Sequence, residues 1–446
     1  MVKIFKTINK LSNKQSLILV LSFGLLMRLI ILIGYGGITH FPDSENYIDL
    51  AKEIYTLDFS NYEGRRTPGY PGLIALAQNN LTLVIAYQLI LGLLSLWLLF
   101  MLTLNLSSKK IALITCLIFS CFYNIIYLEF AILTETLTHF LLLLSIWYIN
   151  KCNLLELNKP IKHYLILGLI LSLTYLTKPL FIYVPLGFFI YYVVKNFNFS
   201  SSFQIIKPLL TLLVCVSIYF GWNNFNQQKI GHFTNTQYFG INLAQTATPF
   251  FEKADNKDAL IRDIVVKHRD SILKENPKAL AMSVWFAQNE LKSKTNLTDI
   301  ELSFKLGEIS KQLFKNYPLL YAKQVGISWF LFWGRPHLYV NSKNYNLPYL
   351  GAVTNKIWFL IMRYIVVVIN ALFILFSLFT LKSNIKYKHV ILDQTLFIIC
   401  IILAGSLGQA LVAFGSNPRF CMPFFSLIIY VVVLNIFKFT SSKNKS

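Results

Sequence analysis

Apolar runs long enough to cross a bilayer recur through almost the whole of this 446-residue chain. A hydrocarbon core about 30 Å thick takes about 20 apolar residues as a helix, because each backbone N–H and C=O must find its partner within the segment. Runs of this kind lie near 16–38, 81–104, 111–128, 133–150, 353–380, 391–414 and 422–438, with three shorter ones at 163–177, 180–194 and 208–222. Only 14% of the residues are charged, against about 25% in a soluble domain. The expected fold is an all-α polytopic membrane protein with about ten transmembrane helices, 11–13 at the upper bound.

The charges between the runs are sorted. When the ten runs are threaded alternately, Lys109/Lys110, Lys151/Lys159/Lys162, Lys195/Lys207, Lys382/Lys386/Lys388 and Lys438/Lys443/Lys445 fall on one side. The N-terminal Lys3, Lys6, Lys10 and Lys14 lie there too. The positive-inside rule makes that side cytoplasmic, and both termini with it. These short basic loops account for most of the net charge of +21, so no nucleic-acid partner is expected. Eighteen of the twenty acidic residues lie on the opposite, outer side, the exceptions being Glu156 and Asp393. Six scattered cysteines with no C-x-x-C pair exclude a disulfide framework and a zinc site. The first run is longer than a signal-peptide core and lacks a clear cleavage site, so it reads as an uncleaved span of an integral protein in a bacterial plasma membrane.

Three segments follow: an N-terminal transmembrane module over 1–222, an extracytoplasmic and partly interfacial helical region over 223–352, and a C-terminal transmembrane module over 353–446. In the middle region Asn276-Pro277 reads as a helix start, and Thr298 with Glu301 as a capping box ahead of Leu302, Leu306, Ile309 and Leu313 at helical spacing. Counting 321–334 as a span would move the 382–388 lysines outside, so that stretch reads as interfacial or re-entrant.

The first outer loop, 39–80, concentrates polar chemistry. It carries Asp43, Glu45, Asp49, Glu53, Asp58 and Glu63, then Arg65 and Arg66, then Pro68-Gly69-Tyr70-Pro71. Asp43, about five residues past the first run, is placed at headgroup level to take a proton from an acceptor; the competing reading is a solvated loop acid. Glu129 and Glu135 flank the turn between the third and fourth runs, where an acid must be hydrated, paired or used. Glu135 and His139 are four apart, a spacing open to a metal or to an interhelical hydrogen bond. Arg28, inside the first run, requires a partner within the bundle. Lys178, Arg335 and Arg419 are cations on the side poor in them, suited to a lipid phosphate or to headgroup snorkelling. No P-loop, G-x-G-x-x-G fingerprint or H-E-x-x-H occurs, so nothing points to soluble nucleotide binding.

These residues form a recognisable order. An arginine inside the first span is followed by P-D-S-E-N-Y-x-x-x-A and by R-x-P-G-Y-P opening the second. L-T-E-T-L then starts the fourth, G-x-x-x-x-L-x-x-L-T-K-P spans 168–179, and N-P-R-F-x-x-P spans 417–423. The chain thereby resembles the GT-C superfamily of membrane glycosyltransferases, in its dolichyl-phosphate-mannose–protein mannosyltransferase-like and aminoarabinose-transferase-like branches. The resemblance implies a GT-C-like bundle that transfers a sugar from a polyprenyl-phosphate carrier to a lipid, glycan or protein acceptor on the outer face. It implies Asp43 as catalytic aspartate with Glu45 as the next acid, and Arg65, Arg66, Lys178 and Arg419 as donor-phosphate contacts. Glu63, Tyr70, Glu129 and Glu135 would support the acceptor side. Two departures stand out: Ser44 separates Asp43 from Glu45 where relatives carry adjacent acids, and Lys178 replaces a common arginine. No metal ligand is assigned, although the reaction leaves a divalent cation open. The competing classes are a polymerase or ligase using lipid-diphosphate glycans, and a transporter without chemistry.

Overall fold

The structure is a computed structural model that describes residues 11–196, 205–386, 392–415 and 417–443. Lys3, Lys6, Lys10, Lys388 and Lys445 lie outside the described residues. A capping box between Ser12 and Gln15 starts α1 (Asn13–Gly34). The first loop folds into α2 (Ser44–Thr56) and α3 (Gly69–Leu76), followed by α4 (Leu81–Leu106). Then come α5 (Lys109–Cys121) and α6 (Tyr123–Glu129), bent by 65° at Phe122. The N-terminal half closes with α7 (Glu135–Lys151), α8 (Ile161–Thr177), α9 (Tyr183–Asn196) and α10 (Ile206–Ile230).

A second unit sits on one end of this bundle. It comprises α11 (Phe239–Ala247), α12 (Ala259–Glu275), α13 (Ser283–Thr295) and α14 (Asp299–Asn316). Its own apolar core includes Ile241, Phe251, Val265, Leu302, Leu306 and Leu313. The Thr298–Glu301 capping box forms at the start of α14. Asn276 and Pro277 open a short 3₁₀ turn rather than an α-helix. The boundary expected at 222 falls inside α10, which runs on to Ile230.

The chain then dips back. In α15 (Pro318–Phe332) the Tyr321 hydroxyl donates to the Leu411 carbonyl at 2.8 Å, and Trp329 Nε1 donates to Ser406 Oγ at 3.0 Å. The helix therefore runs antiparallel to the later span α18, defined below. After Trp333 the segment 335–347 returns to the end from which it came. There the Asn341 amide donates to Tyr35 Oη, and Asn344 Nδ2 to the Ile38 carbonyl, both at 3.0 Å. The stretch 321–334 is thus re-entrant. The chain finishes with α16 (Pro348–Ile357), α17 (Arg363–Lys386), α18 (Gln394–Val412), α19 (Asn417–Cys421) and α20 (Phe425–Lys443).

Among the described residues seven helical segments are long and apolar enough to span a membrane, and the bent α5–α6 pair makes eight. With α7 and α8, 17 residues each, these correspond to the ten apolar runs read from the sequence. The protein is an integral multi-pass membrane protein. Lys109 bonds the Leu11 carbonyl and Lys110 lies 4.9 Å from the Phe437 ring. Both ends of the described chain therefore meet at the α4–α5 turn, as an even number of crossings requires, and the opposite end carries the polar chemistry.

The partner that Arg28 demanded is Glu129. Arg28 Nε donates to Glu129 Oε2 at 2.8 Å, both side chains being at most 5% exposed. Gly92 makes the pair fit: a Cβ there would lie 2.1 Å from Glu129 Oε1. Removing one member strands a buried charge, which costs about 3–5 kcal/mol, whereas an apolar replacement of both is close to neutral. Thermal unfolding of the purified protein should show Glu129→Gln destabilised by about 3 kcal/mol, and an Arg28→Met/Glu129→Leu double variant recovering most of that loss.

Candidate active site

Four helix ends meet where the bundle joins the second unit. Asp43 is the residue before α2, Glu135 opens α7, Lys178 follows the last residue of α8, and Arg419 lies in α19 at the head of the final span. Alternating spans bring the C-terminal ends of α1 and α8 and the N-terminal ends of α7 and α19 to one level. Residues separated by up to 376 positions thereby come into contact.

Arg419 is the hub. Its Nη1 and Nη2 each donate to Asp43 Oδ2 at 3.2 Å, while Nε donates to Glu135 Oε1 at 2.6 Å. Lys178 Nζ donates to the same Glu135 oxygen at 2.8 Å and lies 4.7 Å from the Phe420 ring. On the other flank Arg66 Nη2 donates to Asp43 Oδ1 at 2.7 Å. The Arg66 guanidinium is held between two rings, 4.8 Å from Tyr47 and 5.1 Å from Tyr238. The cluster holds three cations and two carboxylates, a surplus of one positive charge. Glu135 is 2% exposed and Asp43 35% exposed, so the surplus is directed through Asp43 toward the open side.

Local sequence explains the placement. Ser44 Oγ donates to the Ile132 carbonyl at 2.9 Å and accepts from the Phe41 amide at 2.9 Å. These bonds pin the start of α2 and leave Asp43 without a capping duty, so its carboxylate is free for the arginines. In P-G-Y-P, Gly69 permits α3 to approach the end of α8, since a Cβ there would lie 2.4 Å from the Thr177 amide nitrogen. Tyr70 is fully buried, donates to Gln88 Oε1 at 3.1 Å and meets Tyr47 edge-on at 5.3 Å. It supports the Arg66 cradle from below and does not reach the charges.

Other expected residues lie apart from the cluster. Glu45 points outward, 68% exposed, 3.3 Å from His40 Nδ1. Glu63 pairs with Arg65, whose Nη1 also reaches Asn46 Oδ1 at 3.3 Å. Glu129 belongs to the Arg28 pair one layer deeper. Arg335 is on the far side of α15, exposed, with its guanidinium 5.5 Å from the Tyr364 ring. The Glu135–His139 spacing resolves as interhelical bonding: His139 Nδ1 donates to the Pro423 carbonyl at 3.0 Å and its ring stacks on Phe119. Among the described residues no three His, Cys, Asp or Glu side chains converge as a metal-binding set, and the accessible carboxylate oxygens of the cluster already face cations. Tyr238 and the buried Tyr339 beside this cluster escaped the sequence reading, and Tyr47 entered it only within the P-D-S-E-N-Y motif, with no role assigned. Aromatic residues so far apart in the chain carry no periodic signal.

Burial opposes ionisation of Asp43, but the Arg66 and Arg419 charges and hydrogen bonds outweigh it and hold the carboxyl below the usual aspartate range. Asp43 is therefore a carboxylate at neutral pH. Such a group can accept a proton from a hydroxyl, and the arginine fork beside it suits phosphate oxygens.

Comparison with known proteins places this architecture. Residues 72–222 match the family model of dolichyl-phosphate-mannose-protein mannosyltransferases. The match covers about a third of the chain; Glu129, Glu135 and Lys178 fall inside it, and Asp43, Arg66 and Arg419 outside. The resemblance to GT-C membrane glycosyltransferases is thereby upheld. Among solved structures, the oligosaccharyltransferase of Archaeoglobus fulgidus in its apo form aligns with 96% of this chain at a TM-score of 0.50 and 12% identity. Its counterpart AglB from the same organism, in complex with an inhibitory peptide and a dolichol-phosphate, aligns with 97% at 0.49 and 12%. At 12% identity the first of these likenesses is one of fold alone. The chain spans about half the length of these structures, 50% and 52%. No curated protein sequence matches the chain.

Glu135→Gln should destabilise the protein by about 3 kcal/mol, because Lys178 and Arg419 lose their shared counter-charge. Glu45→Gln, on the exposed side, should stay within about 0.5 kcal/mol. Thermal unfolding of the two purified variants checks the contrast.

Proposed function

We propose that this protein is a membrane glycosyltransferase that moves a sugar from a polyprenyl-phosphate-linked donor to an acceptor on the face of the membrane bearing the second unit. The observation that carries this reading is the clasp of Asp43 between Arg66 and Arg419, at the polar end of the bundle and beside the buried Lys178–Glu135 pair. The family match over 72–222 supports the reaction class.

Each residue then has a role. The donor is a phosphodiester whose isoprenoid tail stays in the bilayer. An acceptor hydroxyl attacks the anomeric carbon as the bond from that carbon to the phosphate oxygen breaks. Asp43 takes the hydroxyl proton, and the polyprenyl phosphate leaves as a monoester with an added negative charge. Arg419 and Lys178 meet that charge. Glu135 keeps both cations fixed in a low-dielectric surrounding, so little reorganisation is needed as charge develops.

The shared arginine couples the two halves of the reaction. A phosphate arriving at Arg419 competes with Asp43 for the same Nη groups. As the guanidinium turns toward phosphate, the carboxylate loses part of what depresses its basicity and becomes the better proton acceptor. Arg66 remains on the other carboxylate oxygen and keeps Asp43 oriented.

Membranes supplied with radiolabelled polyprenyl-phosphate sugars test this. Asp43→Asn should lower transfer by about 10²–10⁴-fold, the usual contribution of a positioned general base, and Arg419→Ala should also lower it strongly. Full transfer by a stably expressed Asp43→Asn protein would sink the proposal.

The pH profile is a second check. A carboxyl held below its ordinary range stays ionised until the pH falls through that lowered value. The acid limb of kcat/KM, which reports the free enzyme, should therefore lie below the usual aspartate range. An acid limb above that range would assign the base to another group.

A further inference from the structure

Asp43 has two flanks, and they differ in chemistry. Its Oδ2 faces Arg419, Glu135 and Lys178, all largely buried toward the bundle. Its Oδ1 faces Arg66, and Arg66 also lines a cavity of about 340 Å³ between α2 and the segment 61–66. Eight of the ten residues lining that cavity are polar or charged, Leu50 and Tyr62 being the others, and the aliphatic stems of the long side chains add apolar surface. Asn46, Asp49, Lys52 and Glu53 come from one face of α2 at spacings of three and four, and Asn61, Glu63, Arg65 and Arg66 from the facing loop.

We infer that this cavity is the acceptor subsite and that it takes a saccharide, so the acceptor is a glycan or a sugar-bearing molecule rather than an unmodified peptide or a bare lipid. The inference rests on the glycosyl-transfer reading above and names its acceptor class. Three observations carry it. The volume lies within the 300–1,000 Å³ range of small-molecule sites, and the six charged side chains around the walls disfavour an isoprenoid tail, which would desolvate them without pairing them. The accessible lining groups mix acceptors and donors: the Asp49 and Glu63 carboxylates accept, and Lys52 Nζ and the Arg65 guanidinium donate. Hydroxyl groups satisfy such a mixture, since each can both donate and accept. An aromatic floor adjoins: Tyr62 donates to Asn226 Oδ1 at 2.7 Å, which leaves its ring beside Trp222 and Phe225.

Charge balance narrows the ligand. Asp49, Glu53 and Glu63 offset Lys52, Arg65 and Arg66, so the cavity has no net preference for an anion or a cation. Burial, with the nearby Asp49, Glu63 and Asp58 charges, pushes the Glu53 carboxyl up, toward a form that can donate as well as accept. A neutral, hydroxyl-rich ligand meets this lining with few stranded groups. A sugar hydroxyl lodged there lies on the Arg66 side of Asp43. The donor phosphate is expected on the Arg419–Lys178 side, so the base sits between the two substrates.

Saturation-transfer NMR on the full-length protein in detergent tests the assignment, with maltotriose, mannotriose and chitotriose as probes and a Ser/Thr-containing octapeptide as comparison. At least one trisaccharide should receive saturation from the wild-type protein. The signal should disappear in Asn61→Trp, which fills the cavity, and weaken in Asp49→Asn, whose small change spares the fold. Absence of signal from every trisaccharide, a trisaccharide signal untouched in both variants, or a peptide signal abolished by Asn61→Trp would each overturn the inference. The readout is binding, so it is separable from transfer. A protein that binds trisaccharide while Asp43→Asn transfers sugar normally would lose the proposed mechanism and keep this subsite.

Discussion

Everything at the polar end of this protein hangs on the three nitrogens of Arg419. One donates inward to a carboxylate that is almost fully buried, and two donate outward to a carboxylate that is not. A lysine in that place could neither bridge two acids in one plane nor keep its charge so firmly where solvent is scarce. The buried member, Glu135, cannot be an isolated anion at that depth, so it requires Lys178 and Arg419 together. The outer member, Asp43, inherits the surplus positive charge and is held ionised. The same constraint that makes the network stable therefore keeps an accessible carboxylate ionised beside cations suited to phosphate.

A second buried pair lies one layer deeper and has a different character. Arg28 and Glu129 neutralise each other and leave no surplus. They fix α1 against the C-terminal end of α6, with Gly92 of α4 supplying the space. Between this pair and the outer network lies a cavity of about 20 Å³, bounded also by His139 and Thr136, room for a single water molecule. The inner pair holds the scaffold on which the outer network is positioned, and the outer network carries the accessible carboxylate and the surplus charge on which the proposed transfer rests.

The re-entrant α15 completes the arrangement from the other half of the chain. It enters beside α18, turns at Gly334, and returns past Tyr339 to Tyr35 and Ile38 at the end of α1. Tyr339 meets Phe41 edge-on at 5.7 Å and so closes the cluster near Asp43. Non-helical backbone at this depth is tolerated only where protein covers it, and the bonds from Asn341 and Asn344 to α1 and the following turn supply that cover.

Much of the fold is legible in the residues themselves. Ten apolar runs, the sorting of lysines and acids, and the Thr298–Glu301 capping box are local or compositional signals. They act through the hydrocarbon thickness and through bonds within one helical turn, so they survive without knowledge of the tertiary structure. The need for a partner at Arg28 was equally clear, since an arginine within a span must be paired. Which partner it found was not, because Glu129 lies 101 residues away. Likewise Asp43, Glu135, Lys178 and Arg419 each stood out as a charge at a membrane boundary. Their union through one guanidinium, the outward turn of Glu45 and the tyrosine cradle of Arg66 were decided by tertiary structure. Span alternation specifies which helix ends share a level, but only helix packing specifies which side chains at that level touch.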